Sequence, residues 1–121
     1  MRVTWPNSET ASLHDAVVMA SARTYEAKGI SVHTPPYGSE SAADLSLPAL
    51  ARVEEIETED TLDKIHIDRL LEFRLRGLDV WVLVPLSRLG SAHDTLRGIV
   101  SRLQPWWLEG EIVRFGRPEQ A

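Results

Sequence analysis

Carboxylate side chains crowd into one short stretch of this chain. Six of its eighteen acidic residues lie between Glu54 and Asp63, and Asp44 precedes them on a short apolar segment. Carboxylates repel one another and have low strand propensity, so a fold that keeps them on a β-hairpin commonly uses them to hold a hard cation. Because the chain has no cysteine, any metal must be held by oxygen or imidazole. The stretch therefore predicts a metal site with oxygen ligands.

The geometry of a hairpin predicts which carboxylates meet. Ala43–Leu47 and Leu50–Thr58 have the pattern of two strands joined at Pro48-Ala49. With the turn centred there, Asp44 faces the strand position two residues before Glu55. The two acidic residues are then diagonal neighbours on one sheet face, at about 7–8 Å between their Cα atoms. Their side chains could share one ion.

The two-residue period of a strand decides the direction of the remaining acidic side chains. Glu57 and Glu59 are predicted on the same face as Glu55, whereas Glu54 points to the other face. A one-residue change of register would exchange Glu54 and Glu55. A plainer interpretation of Glu54 and Glu59 is a solvated polar surface, and Asp44 could simply begin a strand.

Apolar periodicity predicts the elements that must position these residues. They are a helix from Glu9 to Lys28, a strand from Ile30 to Thr34, the hairpin, a helix that begins at Asp60 or Thr61 and ends at Gly77, a strand from Asp79 to Pro85, a helix from Ser91 to Leu103 stopped by Pro105, and a strand from Glu111 to Phe115. The run Asp79–Pro85 is apolar on both faces, as expected of a central strand. The order α-β-β-β-α-β-α-β predicts an α/β fold with a mixed β-sheet flanked by helices.

Length and composition set outer bounds. At 121 residues with 43% hydrophobic residues, the chain fits one domain spanning residues 1–121. No apolar run approaches the roughly 18 residues of a membrane span, and the N-terminus lacks the pattern of a signal peptide, so we expect a cytoplasmic protein and no membrane partner. The net charge of -5 argues against a broad non-specific grip on nucleic acid.

The acidic motif resembles that of the PD-(D/E)xK nuclease superfamily, whose restriction-endonuclease-like core is a helix, a three-stranded meander, a helix and a strand. The resemblance covers roughly Leu13–Pro85. Its motif is an aspartate at the start of the second core strand and an acidic-x-lysine triplet on the third, which Asp44 and Glu55-Ile56-Glu57 would match. The chain departs from the pattern in two places. Ala43 replaces the usual proline, and Glu57 stands where the lysine is expected.

The resemblance implies a three-layer restriction-endonuclease-like domain that hydrolyses phosphodiester bonds in DNA with Mg²⁺ or Mn²⁺. Asp44 and Glu55 would hold the ion, and Glu57 would be a further ligand or a base. Lys64, on the helix after the motif, would replace the missing lysine and counter charge on the phosphoryl group. His14 on the first helix would be an outer contact.

Two functions remain open from the sequence. The first is a small metal-dependent deoxyribonuclease, which is expected to be a homodimer because one small domain contacts only a short length of DNA. The second is a catalytically degraded member of the same fold that acts as a protein- or nucleic-acid-binding or assembly module, which would explain the missing lysine and the acidic balance. The first predicts that the carboxylates converge in one concave site beside Lys64, with arginines near its rim such as Arg23, Arg52 or Arg69.

Plainer interpretations apply to other residues. Lys64 could be an i,i+4 partner of Asp60 or Asp68. Trp106 and Trp107 are more typical of a core or an oligomer contact than of a platform for base stacking. The sequence contains no P-loop, no dinucleotide-binding fingerprint, no serine-hydrolase elbow and no HExxH motif, which disfavours nucleotide-binding and serine-hydrolase functions.

Overall fold

The computed structural model of the chain describes residues 13–35 and 43–121. Its helices and strands are α1 (Leu13–Glu26), β1 (Leu45–Leu47), β2 (Arg52–Ile56), α2 (Ile67–Leu75), β3 (Asp79–Pro85), α3 (Leu89–Leu96), β4 (Arg102–Glu109), β5 (Ile112–Phe115) and β6 (Glu119–Gln120). Short 3-10 turns lie at Pro48–Leu50, Leu62–Lys64 and Leu86–Arg88. None of the helices in these two ranges is long and apolar enough to cross a membrane.

The strands form one mixed sheet in the order β1-β2-β3-β4-β5, with β6 paired to β4. Strands β2, β3 and β4 are parallel, whereas β1 and β5 pair antiparallel at either side. Parallel neighbours need a crossover connection, and α2 and α3 supply the two that link β2 to β3 and β3 to β4. The predicted mixed α/β class is therefore confirmed, and β3 has the predicted bounds and a central position.

The helices cover the sheet on both faces. Tyr25 of α1 bonds Glu54 of β2, whereas Arg69 of α2 bonds Glu55, and successive strand residues point to opposite faces. Helix α1 packs over a cluster that contains Val17, Ala20, Ile56, Leu83, Trp106 and Val113. Helices α2 and α3 pack over a second cluster that contains Leu70, Phe73, Val80, Val82, Val84, Ala92 and Leu96. Burial of each of the valine, leucine, isoleucine and phenylalanine side chains contributes roughly 1.5–3 kcal/mol.

The predicted first strand, Ile30–Thr34, is reduced to a single bridge between His33 and Ser46. This pair exchanges both backbone hydrogen bonds, at 2.9 and 2.8 Å. In the same register the next hydrogen-bonding pairs on either side would each contain a proline, Pro48 or Pro35. Because proline has no N–H to donate, the ladder cannot extend in either direction.

The predicted helix from Ser91 to Leu103 is wrong at both ends. Helix α3 begins at Leu89 and ends at Leu96, and Leu103 and Pro105 lie within β4. Gly98, with a φ of 76°, turns the chain directly after the helix. A glycine just past the last helical residue is a common stop signal. The helix therefore ends near Gly98, before the chain reaches Pro105. The observed order of elements is α-β-β-α-β-α-β-β-β.

The predicted second helix also begins later than expected. The segment after Thr61 forms the 3-10 turn Leu62–Lys64, and α2 starts only at Ile67. Gly77 follows the helix with a φ of 81°, as a left-handed terminator should. Trp106 is buried in the core under α1, in agreement with its plainer interpretation. The N-terminal part of the predicted first helix lies outside the described residues.

Candidate active site

Strands β1 and β2 place Asp44 next to Glu55. The register pairs Leu45 with Glu54, so the residue before Leu45 lies opposite Glu55. The carboxyl groups of Asp44 and Glu55 therefore lie close together, and the charge of one acts on the other. Asp44 Oδ2 also accepts the backbone N–H of Ile56 at 2.8 Å. The aspartate is thereby fixed at the end of the hairpin.

The turn of this hairpin differs from the predicted one. A two-residue hairpin loop needs positive φ at its central positions, and the proline ring does not allow it at Pro48. The chain instead makes the 3-10 turn and passes through Ala51 at a φ of 49°. The register is consequently two residues away from the one in which Asp44 faces Val53. A shift of two keeps every side chain on its face, so Asp44 and Glu55 still lie on the same side of the sheet.

Asp44 is held in its charged form by His14 of α1. The His14 Nε2 atom lies 3.1 Å from Asp44 Oδ2, and Nδ1 lies 3.2 Å from Asp15. Burial lowers the pKa of His14, but the bonds to the two aspartates and their charges outweigh this effect and raise it to about 9. Burial raises the pKa of Asp44, but the contacts with His14, Ile56 and Glu55 outweigh it and hold that pKa below its ordinary value. The result is an ion pair between α1 and the hairpin at neutral pH.

Glu55 lies in a more crowded environment. It is buried on β2, and Arg69 of α2 donates from Nη2 to its Oε1 at 2.7 Å. Burial raises the pKa of Glu55 to about 8, and the charge of Asp44 and the hydrogen bond to it add to the effect. Arg69 opposes the shift, whereas Glu57 reinforces it. A cation that bound beside this carboxyl group near neutral pH would therefore displace a proton from it.

Glu57 follows the last residue of β2. Its backbone N–H still bonds the carbonyl of Leu83 at 2.8 Å, and its carbonyl accepts the indole N–H of Trp106 at 3.0 Å. Burial raises the pKa of Glu57 to about 7, a hydrogen bond with Thr61 opposes the shift, and the charge of Asp44 adds to it. One carboxyl group of β2 and one directly after it thus have pKa values close to physiological pH.

These groups open into one cavity of about 240 Å³. The lining includes Glu55 and Glu57 together with cationic or basic side chains, which are Lys64, His66 and Arg69. Lys64 lies on the 3-10 turn before α2, and its side chain is exposed. Within residues 13–35 and 43–121 its ammonium group forms no ion pair, so the expected pairing with Asp60 or Asp68 is not present there.

The other predicted residues lie elsewhere. Glu59 is exposed and bonds Ser87 and Arg88 outside this cavity. Of the three arginines expected near the rim, Arg69 lines the cavity, whereas Arg23 and Arg52 line separate ones. The guanidinium group that lines the carboxylate cavity therefore belongs to a residue of α2.

The role of Arg69 as the partner of Glu55 was not predicted. Arg69 precedes the buried Phe73 by four residues, and its guanidinium lies 5.9 Å from the Phe73 ring centroid. Residues four apart share a helix face, so this spacing is a sequence signal that places Arg69 on the side of α2 that faces the sheet. An arginine on a core-facing helix side needs a polar partner, and Glu55 is the carboxyl it contacts.

Glu54, on the opposite face, contradicts its plainer interpretation as a solvated residue. Its side chain is 0% exposed. It accepts hydrogen bonds from the Ser21 hydroxyl at 2.8 Å and from the Tyr25 hydroxyl. Burial raises its pKa, and the bonds from Tyr25 and Ser21 and the charge of Arg52 oppose the shift. Glu54 is a buried polar anchor between α1 and the sheet.

The carboxyl and imidazole groups around the cavity are the candidate ligands for a divalent ion. Within the two described ranges, no three carboxyl or imidazole groups are arranged to hold one metal ion. Mg²⁺, however, commonly takes only one or two protein carboxylates and keeps several waters. The neighbouring carboxyl groups of Asp44 and Glu55 supply such a pair. Burial and the charge of Asp44 raise the pKa of Glu55, and a bound cation would oppose both effects. The residues therefore fit Mg²⁺ or Mn²⁺ at this pair, with Glu57 as its neighbour.

Comparisons with known proteins leave the site to be interpreted from its own geometry. No family model matches this chain, nor does any curated protein or solved structure. A relation to the PD-(D/E)xK superfamily accordingly depends on Asp44, on Glu55-Ile56-Glu57 and on the elements that carry them.

Proposed function

We propose that this chain is a small metal-dependent nuclease of the PD-(D/E)xK type that hydrolyses phosphodiester bonds in DNA. The observation that carries the proposal is the cavity that Glu55 and Glu57 share with Lys64 and Arg69, beside the Asp44 carboxyl. Carboxylates that suit a divalent cation and cations that suit a phosphate lie side by side in it. This combination is what phosphodiester hydrolysis requires.

The order of the elements around the cavity supports the same proposal. Helix α1 is followed by three antiparallel segments, which are the bridge at His33, β1 and β2, and then by α2 and β3. This order is similar to the helix, meander, helix and strand expected of a restriction-endonuclease-like core. Asp44 immediately precedes the second segment and Glu55 lies on the third, where the motif of the superfamily places its acidic residues.

The carboxylates would have two roles, which are to bind the ion and to accept a proton. Asp44 and Glu55 would bind Mg²⁺ or Mn²⁺, which would polarise the scissile phosphate and lower the pKa of a bound water. His14 keeps Asp44 ionised through their hydrogen bond. Glu57, with a pKa of about 7, suits a base that accepts a proton from the attacking water.

The basic residues of the cavity would counter the charge that develops on the phosphoryl oxygens. Glu57 occupies the position of the expected lysine, so this role passes to Lys64 and Arg69, which line the same cavity. A guanidinium can bond two phosphate oxygens at once. Arg69 would therefore exchange its carboxylate partner for the substrate when the ion neutralises Glu55.

A second candidate function is a catalytically degraded member of the same fold that binds DNA or protein. The observation that favours it is the 2.7 Å ion pair between Arg69 and Glu55, which satisfies the carboxyl group that a cation would need. In that case the pair is structural and the cavity binds no divalent ion. The two candidates therefore differ in their response to Mn²⁺.

Calorimetric titration of Mn²⁺ into the folded chain tests the proposal, because Mn²⁺ prefers oxygen ligands and replaces Mg²⁺. We expect saturable binding to the wild type and a loss of affinity of at least about tenfold in Glu55→Gln. Glu59→Gln is the matched control, because it removes a carboxylate from the same acidic stretch but outside the cavity. It should bind Mn²⁺ like the wild type.

The activity itself is measured as Mg²⁺-dependent cleavage of labelled single-stranded, duplex and branched DNA. We expect cleavage by the wild type and by Glu59→Gln, and a fall of at least about 100-fold in Glu55→Gln. Absence of Mn²⁺ binding and of cleavage, with all three DNA forms present, would favour the binding module over the nuclease.

A further inference from the structure

A second polar cavity, of about 640 Å³, lies at the opposite end of the parallel strands. Its walls include the first residues of β2, β3 and β4, together with the end of α2. The N-terminal ends of parallel strands share one edge of a sheet, and the carboxylate cavity lies toward the other edge. From Arg52 to Glu55 strand β2 advances about 10 Å, so the two cavities are distinct.

One wall of this cavity is a fixed stack of a guanidinium on an indole. The Arg52 guanidinium carbon lies 3.8 Å from the centroid of the Trp81 ring. Asp79 Oδ2 accepts from Arg52 Nε at 3.2 Å and from Trp81 Nε1 at 3.0 Å. One carboxylate oxygen thus holds both members of the stack. Arg52 also donates from Nη1 to the Tyr25 hydroxyl at 3.3 Å, so several bonds hold the stacked arrangement in place.

Three guanidinium groups and one side-chain carboxylate line the cavity, although the chain carries a net charge of -5. Asp79 offsets Arg52, which leaves the guanidinium groups of Arg74 and Arg102. Arg74 donates to the backbone carbonyl of Gly98 at 2.8 Å, a bond that leaves its charge uncompensated. Within the part of the chain that the structure describes, neither Arg74 nor Arg102 forms an ion pair with a carboxylate. This local excess of positive charge points to an anionic ligand.

We propose that this cavity binds the phosphodiester backbone of single-stranded nucleic acid, with a base stacked on the Arg52–Trp81 pair. Guanidinium groups match the geometry of phosphate oxygens, which assigns the backbone to Arg74 and Arg102. Bases stack on aromatic rings and on arginine planes, and only unpaired bases expose their faces for this contact. A volume of about 640 Å³ also exceeds what one inorganic phosphate fills.

The proposal is tested by fluorescence anisotropy of a labelled oligothymidylate, titrated with the folded full chain in buffer that contains EDTA. Arg102→Glu should weaken binding at least about tenfold, because it replaces a phosphate contact by a repulsive charge. Arg23→Glu is the control. It changes the net charge by the same amount at an exposed position of α1 that lines a different cavity, so we expect a change of less than about threefold.

Salt dependence, a duplex of the same length and inorganic phosphate complete the experiment. Arg102→Gln should reduce the slope of log affinity against log salt by about 0.7–1. Equal losses in Arg102→Glu and Arg23→Glu would show a general effect of charge and overturn the proposal. Equal affinity for the duplex would exclude stacking of an unpaired base. Inorganic phosphate that competes at oligonucleotide concentrations would identify a small-anion site instead.

The inference uses different residues from the proposed nuclease, so each can fail without the other. Arg102 is exposed at the first position of β4, and its substitution leaves Asp44 and Glu55 unchanged. We therefore expect Arg102→Glu to bind Mn²⁺ like the wild type. A wild type that binds no oligothymidylate in EDTA would overturn the single-strand site while leaving the metal-site test intact.

Discussion

Glu54 and Glu55 are adjacent on β2 and are both buried, but their environments differ. Glu54 faces α1 and accepts bonds from the hydroxyl groups of Ser21 and Tyr25. Glu55 faces α2, bonds Arg69, and shares its surroundings with further carboxyl groups. The same residue type thus lies in two different chemical settings, one on each face of a strand.

The difference lies in how the partners act on each carboxyl group. Burial raises both pKa values. For Glu54 every neighbour opposes that shift, as expected of a group that is fixed in place by its hydrogen bonds. For Glu55 the charge of Asp44 increases the shift, and only Arg69 opposes it. Perturbation by like charges in a cavity is typical of functional sites, so Glu55 is the candidate for function, whereas Glu54 links α1 to the sheet through its hydrogen bonds.

The largest expected difference between the two residues is their effect on the free energy of unfolding. Glu54→Ala should lower the free energy of unfolding by about 3 kcal/mol, because it leaves two buried hydroxyl groups without their acceptor and opens a cavity. Glu55→Gln should stay within about 1 kcal/mol of the wild type, because the amide oxygen can still accept from Arg69 and the repulsion by Asp44 is relieved. Urea unfolding at neutral pH measures both. Equal losses would mean that the two faces do not differ as described.

The second test uses pH. The folded-state pKa of Glu55 is about 8, against an ordinary value of 4.5, so the folded chain holds a proton that the unfolded chain releases. Stability from this group is fully present below about pH 4.5 and is lost as the pH rises through about 8. Glu57, with a pKa of about 7, acts in the same direction. The wild type should lose at least about 2 kcal/mol of stability over this range.

Urea midpoints at several pH values, without divalent cations, measure the effect. Glu55→Gln should show a shallower decline. His14, whose pKa is raised from 6.5 to about 9, contributes stability that is present below 6.5 and lost as the pH rises through about 9. His14→Gln should therefore flatten only the upper part of the profile. A wild type that gains stability from about pH 5 to about pH 8 would contradict the assignment of Glu55.

The smallest effect concerns the turn that sets the register. Ala51 adopts a φ of 49°, a left-handed conformation that is unfavourable for a side chain with a Cβ atom. Ala51→Gly should raise the free energy of unfolding by about 0.5–1 kcal/mol after the entropy of glycine is counted. Because the register stays the same, the pH dependence should not change. A steeper or flatter pH profile in this variant would show that the turn does more than connect the strands.

Local patterns predicted much of the fold around the site. The apolar run Asp79–Pro85 is a central strand with the predicted bounds, because a strand buried on both faces leaves a continuous apolar signal. The two-residue period of a strand predicted that Glu54 and Glu55 lie on opposite faces of the sheet. This prediction is correct although the predicted turn is wrong, because the observed register differs from the predicted one by an even number of residues. The placement of Asp44 beside Glu55 was therefore accessible from the sequence.

Long-range packing decided the rest. The sequence by itself determined which carboxylates share a face, since that depends on neighbours along one strand. Only the tertiary structure decided that α1 buries Glu54, that Arg69 pairs with Glu55, and that Pro105 lies in a strand. Each of these depends on contacts between segments far apart in the chain. Their free energy comes from burial and pairing in the folded molecule, which leaves no periodic trace in the local sequence.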